Sequence, residues 1–112
     1  MTMIYRGVRE SDGTCSVTYG MHHRRALPMR LNLSNHSPTG FEWGYGGSGP
    51  AQLALALLAH ALKDDGRALR LHQPFKWRVI APLPRDDEWQ FTRDQIVKIA
   101  ADIEAEAMGT PA

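Results

Sequence analysis

The stretch Phe41 to Lys63, FEWGYGGSGPAQLALALLAHALK, decides the fold. Four glycines, Gly44, Gly46, Gly47 and Gly49, run straight into a segment that is apolar on nearly every side. Pro50 suits the first position of a helix, because proline has no N–H to leave unbonded there and its φ already fits the turn. Gly49 or Ser48 is then the N-cap. Alanine and leucine, the strongest helix formers, fill the rest. The fourteen residues from Pro50 to Lys63 span about 21 Å as a helix, too short for a bilayer core about 30 Å thick. Only Gln52, His60 and Lys63 interrupt the apolar run, and a helix apolar all round is a buried one. Asp64-Asp65-Gly66 ends it, with Gly66 as the expected left-handed cap.

The glycine loop has two readings. Gly44-Tyr45-Gly46-Gly47-Ser48-Gly49 satisfies the spacing G-x-G-x-x-G, and free N–H groups at the positive end of a helix bind phosphate. Gly46, Gly47, Ser48 and Gly49 are therefore candidate ligands for a phosphate, a nucleotide or a nucleic-acid backbone. The dinucleotide fingerprint, however, needs a βαβ unit and an acidic residue about 20 positions on. Asp64 and Asp65 come too early, at the end of the helix, and no Gly-Lys-Ser/Thr follows the loop. The other reading is a tight turn in which glycine lets Trp43 and Tyr45 pack closely.

Outward from this stretch, Met3 to Val8 reads as a strand with Ile4, Arg6 and Val8 on one face. Asp12-Gly13 supplies a hairpin turn, and Thr14 to Tyr19 returns with Cys15, Val17 and Tyr19 on one side. Leu27 to Leu33 alternates and predicts a third strand, near an edge because Pro28 cannot donate to a ladder. After a turn-rich Ser34 to Gly40 comes the central stretch. Beyond it, Arg67 to His72 predicts a helical turn, Phe75 to Ile80 alternates as a strand with one wet face, and Glu88 to Phe91 predicts a last short strand. Thr92 and Gln95 form a capping box, with Phe91 and Ile96 as a hydrophobic staple. Ile96, Ile99, Ala100, Ile103 and Ala107 make the apolar stripe of a C-terminal amphipathic helix, which Gly109 and Pro111 stop. The fold class is α+β: an antiparallel sheet of about four to five strands packed on a buried Ala/Leu helix.

A chain of 112 residues is one domain, residues 1–112, long enough to bury a core without disulfides or metal. The single cysteine, Cys15, excludes an internal disulfide framework and fits a reducing compartment. The N-terminus shows no charged start followed by an apolar run, so the expected location is cytoplasmic, with no membrane partner. A net charge of +1 hides ten Lys/Arg against five Asp/Glu up to residue 80, and three against seven beyond it. The basic residues are scattered, which is not the pattern of a non-specific nucleic-acid binder.

The run His36-Ser37-Pro38-Thr39-Gly40-Phe41-Glu42-Trp43-Gly44-Tyr45-Gly46-Gly47-Ser48-Gly49-Pro50-Ala51-Gln52-Leu53-Ala54-Leu55-Ala56 resembles the core of a small family of bacterial, plasmid and phage proteins without an established activity. Tyr5-Arg6-Gly7, Phe75-Lys76-Trp77 and Ala81-Pro82-Leu83-Pro84 are similar in placement to what that family carries. The resemblance transfers no catalytic residue. It implies a setting in mobile elements, where small stand-alone proteins modulate a host or defence complex, for example as CRISPR inhibitors.

The chemistry available is thin. His22 and His23 share a turn, His36 sits in a polar loop, His60 on the buried helix and His72 before Gln73-Pro74. None of these has helix-face metal spacing, and no metal or cofactor is expected. Ser48 lies in a strand–turn–helix context but misses Gly-x-Ser-x-Gly, because Pro50 replaces the last glycine. Asp86, Asp87 and Glu88 read as a solvated turn. No catalytic set assembles, so the expected function is a non-catalytic protein-interaction module, which the resemblance extends to a counter-defence, anti-CRISPR-like inhibitor, with phosphate or nucleic-acid-backbone binding at the glycine loop as the alternative. Trp43 or Tyr45 beside Arg24, Arg25 or Arg30 has the composition of a binding hot spot, and the same set suits base stacking.

Overall fold

The computed structural model describes residues 2–109. Four strands, β1 (Ile4–Arg9), β2 (Cys15–Gly20), β3 (Arg25–Ala26) and β4 (Trp89–Thr92), form one antiparallel sheet in the order β3-β2-β1-β4. Three α-helices, α1 (Ser48–Leu62), α2 (Asp65–Phe75) and α3 (Arg93–Ala107), complete the α+β fold, with a π-helical turn, Lys76–Ile80, continuing α2.

The β1–β2 hairpin follows from Asp12-Gly13. The Asp12 carboxylate accepts from the backbone N–H of Thr14 at 3.0 Å and its hydroxyl at 2.6 Å, and Gly13 takes φ +90°, a conformation glycine adopts without a Cβ penalty. Register places Gly7 between Val17 and Trp89. Tyr5, Gly7, Val17 and Trp89 are buried, so this face of the sheet is the core face.

Helix α1 is buried from Gly49 to Ala59 and again at Ala61. It packs against α2, α3 and the π-helical turn. Leu53, Leu55, Leu57 and Leu58 are wholly inaccessible, and at roughly 2–3 kcal/mol per fully buried large side chain they anchor the core. Its one buried polar side chain is satisfied: Gln52 accepts from the N–H groups of His36 and Ser37 and donates to the Met29 carbonyl at 2.6 Å. The N-cap is Gly47 rather than Ser48 or Gly49, and no side chain caps it. The C-cap is Lys63 at φ 54°, not Gly66. Asp64 instead opens α2, accepting from Arg67 N–H at 3.0 Å, so Gly66 lies inside α2.

Two expected strands are absent. Residues 27–33 lie in loop and turn: Leu27 N–H still reaches the Val17 carbonyl at 2.9 Å, and Pro28, with no N–H, ends the pairing there. Residues 75–80 are helical, because Pro74 is carried inside α2. Proline removes one i→i−4 bond and crowds the carbonyl four back, and the chain then shifts to i→i−5 bonding, with Ala81 N–H on the Lys76 carbonyl at 2.9 Å. Phe75, Lys76 and Ile80 face inward while Trp77 and Arg78 face out.

Helix α3 begins at the expected capping box, with Gln95 N–H on the Thr92 hydroxyl at 3.1 Å and Thr92 N–H on the Gln95 side chain at 2.8 Å. Ile96, Ala100 and Ile103 are buried and Ala107 is exposed. Pro111 lies outside the described residues. Arg67 of α2 clamps Glu104 of α3 through two nitrogens. Among the described residues, no helix is long and apolar enough to cross a membrane.

Candidate functional site

The glycine loop is a seat for aromatic rings. A Cβ on Gly46 would lie 2.1 Å from the Trp77 ring, and one on Gly47 would lie 2.3 Å from the Tyr45 ring. A Cβ on Gly49 would meet the Glu42 side chain at 2.7 Å, and Gly44, at φ +88°, lies against the backbone of Arg85. Each glycine therefore answers to a neighbour that leaves no room for a side chain.

Two rings stand out from this loop. Trp77 is 60 % exposed and Tyr45 41 %. The Lys76 ammonium lies 4.4 Å from the centre of the Trp77 ring, and the Arg85 guanidinium 5.3 Å from that of Tyr45, both within cation–π range. The Lys76 ammonium also donates to the Gly46 carbonyl at 3.4 Å. The loop, two rings and two cations thus form one patch held by backbone contacts.

The residues expected on an interaction surface are dispersed. Trp43 is fully buried, edge-on to Trp89 at 5.6 Å, with the Arg9 guanidinium 5.1 Å from its ring. It belongs to the core, not to a surface. Arg24 and Arg25 are exposed at β3 and the turn before it, and Arg24 donates to the Ile4 carbonyl at 3.4 Å. Arg30 is paired with Asp65 at 2.7 Å. Of the expected set, Tyr45 alone joins the loop patch. Trp77 and Arg85 complete it, and sequence periodicity placed Trp77 on a strand.

Ser48 is exposed at the first turn of α1 and lines a cleft of about 330 Å³ with Cys15, Glu42, Tyr45 and Gly49. The charge at this cleft is already paired. Glu42, hydrogen-bonded by Arg9 through both carboxylate oxygens at 3.0 and 2.7 Å, is held below the usual carboxylate range by that bond and forms an ion pair with it. Pro50 removes one N–H from the same turn. Burial pushes the Cys15 thiol up to about 11, so it is not a thiolate nucleophile at neutral pH.

Ser48 has no histidine base. His36 is spent on His72: the His72 Nδ1–H donates to the Leu69 carbonyl at 2.7 Å, which leaves its Nε2 to accept from His36 Nε2–H at 3.0 Å. This tautomer is assigned from the bonding pattern. Burial, then the neighbouring His72 and Lys76, lowers the His36 pKa. No group of three or more metal-ligating side chains occurs among the described residues.

A four-stranded antiparallel sheet with three α-helices, one of them buried along nearly its whole length, defines a small α+β domain. The chain belongs to the family of unknown function DUF6166, whose match covers residues 5–102. No curated protein and no solved structure matches it.

Proposed function

We propose that the protein is a non-catalytic interaction module that binds a protein partner through the patch formed by Tyr45, Trp77 and Arg85. The observation that carries this reading is Trp77, an indole 60 % exposed yet seated against the Gly46 backbone. Trp, Tyr and Arg dominate binding hot spots, and an anchor already fixed in place loses little entropy on association. With the exposed Arg85 guanidinium lying on the Tyr45 ring, the patch fits a partner surface that places a carboxylate beside an apolar pocket. The setting implied by the resemblance, a mobile element acting against a host defence complex in the manner of an anti-CRISPR inhibitor, is the finer form of this proposal. A cytoplasmic site of action is part of it.

The test uses the chain as bait in lysate of its host, with Tyr45→Ala/Trp77→Ala as the comparison. A partner retained by the parent and lost with the double variant, at unchanged melting temperature, supports the proposal. Equal recovery by both overturns it. Because ring–cation patches also stack bases, single-stranded oligonucleotide binding that depends on Trp77 redirects the reading to nucleic acid.

A further inference from the structure

At the C-terminal end of α1, a second cleft of about 290 Å³ is lined by Thr2, Met3, Met21, His60, Lys63, Arg93 and Asp94. Four separate pieces of chain meet there: the segment before β1, the turn after β2, the end of α1 and the start of α3. Its centre is His60, whose Nδ1 lies 2.7 Å from the hydroxyl of the fully buried Tyr5, with the Tyr19 ring at 4.1 Å. Burial pushes Tyr5 up to about 12, so the phenol keeps its proton and donates it to Nδ1. The imidazole proton then sits on Nε2, a donor with no partner among the described residues.

Neither cation of this cleft has a carboxylate partner among the described residues. The Arg93 Nε donates to the Ala61 carbonyl at 2.7 Å and its backbone N–H to the Met3 carbonyl at 2.9 Å, which fixes the guanidinium and leaves its other N–H groups to the cleft. Lys63 is the left-handed cap of α1. Arg6, Arg9, Arg30, Arg67, Arg78 and Lys98 each have a carboxylate partner. Lys63 and Arg93, like Arg24, Arg25, Arg70, Lys76 and Arg85, have none among the described residues, and they are the two that share a cleft, which the Asp94 carboxylate also lines. Their charges, after burial, depress the His60 pKa, which marks a field that an anion would relieve. Met3 and Met21 supply an adaptable apolar wall.

We propose that this cleft is a binding site for the oxyanion of a small molecule, a carboxylate or phosphate group held by His60 Nε2–H, Lys63 and Arg93. Fixed donors and two forked or mobile cations converging on one small cavity are the usual composition of such a site.

The experiment is a side-chain ¹H–¹⁵N titration of the whole protein, following the His60 ring and Arg93 Nε–H while inorganic phosphate or butyrate is added at constant ionic strength, with chloride as control. The expected result is a saturating shift of both groups in the millimolar range that chloride does not reproduce. Lys63→Asn, which removes the charge while keeping a residue that tolerates the left-handed cap, weakens it about fivefold or more, as does Arg93→Gln. Saturation by phosphate and not butyrate, or the reverse, identifies the ligand class. A shift that stays linear to about 50 mM with both anions, or one unchanged in Lys63→Asn, overturns the proposal. Should Arg93→Gln unfold through loss of its bond to Ala61, Lys63→Asn decides alone.

Discussion

Replacing Gly7 by alanine puts a methyl group where Trp89 already is. The added Cβ would lie 2.3, 2.4 and 2.5 Å from the Trp89 Cε2, Nε1 and Cζ2 atoms, against an ordinary carbon contact of about 3.5–4.0 Å. The indole must therefore retreat by roughly 1 Å. It has nowhere soft to go, since Trp43 stands edge-on behind it at 5.6 Å and Phe91 lies at 5.5 Å, and Trp43 is itself fully buried. Overpacking of a rigid core costs about 1–3 kcal/mol, and disturbing an aromatic pair adds about 0.5–1.5 kcal/mol. We expect a loss of about 3 kcal/mol, which for a chain of this size lowers Tm by about 12 °C, with a change in tryptophan emission. Thermal unfolding followed by circular dichroism and fluorescence measures both. Gly13→Ala is the control: nothing lies within 4 Å of its Cβ, so only left-handed strain of about 1–2 kcal/mol applies. In a Trp89→Leu background, where no ring reaches the Gly7 position, the cost of Gly7→Ala shrinks by about 2 kcal/mol. A Tm drop below about 3 °C with unchanged emission, or strict additivity in the double variant, refutes the packing argument.

Gln52→Leu keeps the volume but strands the N–H groups of His36 and Ser37 and the carbonyl of Met29, at about 1–3 kcal/mol for each buried group left unbonded; urea unfolding should show a loss of at least about 3 kcal/mol, and a near-neutral variant would mean water replaces the amide. The Glu42 carboxyl is held low by Arg9, so its contribution is full above the unfolded pKa of about 4.3 and fades as pH falls through the lower folded value. The gap in urea midpoint between the parent and Glu42→Gln, equivalent to about 1 kcal/mol for a pair of this exposure, should be open at neutral pH and closed in strong acid; a pH-independent gap assigns the effect to packing against Gly49. Cys15, pushed to about 11, should react with a disulfide reagent at mildly alkaline pH some tens of times more slowly in the folded protein than in urea, and equal rates would place the thiol in open solvent.

The elements legible in the sequence are those whose signals are local. Thr92 and Gln95 carry both halves of a capping box within one turn, and Asp12-Gly13 carries its own hairpin. The Ala/Leu run announces burial because no face of it is polar. The misread elements depend on something distant. Phe75, Trp77 and Val79 alternate with Lys76 and Arg78 and so mimic a strand, and Pro74 mimics a helix end. The helix continues through Pro74 because α1 and α3 lie against it and bury Phe75, Lys76 and Ile80 at helical spacing. Leu27 to Leu33 alternates equally well, but after Pro28 no neighbouring strand is left for it to pair with.

The exchange of roles between Trp43 and Trp77 has the same origin. Both tryptophans are near the glycine loop, and nothing in their local sequence distinguishes the buried from the exposed one. Chain crossings decide it: Trp43 is driven under Arg9 and against Trp89 by the sheet, whereas the π-helical turn after Pro74 swings Trp77 onto the outside of Gly46. The G-x-G-x-x-G spacing then has a cause unrelated to phosphate. Gly44 yields to the Arg85 backbone, Gly46 to Trp77 and Gly49 to Glu42, three contacts from three parts of the chain. Alanine at Gly46 should therefore displace Trp77 and weaken partner capture while costing little stability, since the displaced ring lies outside the buried core. Alanine at Gly49 should act oppositely, costing stability with capture intact. Equal effects at the two positions would mean that the loop acts as one ligand-binding unit after all.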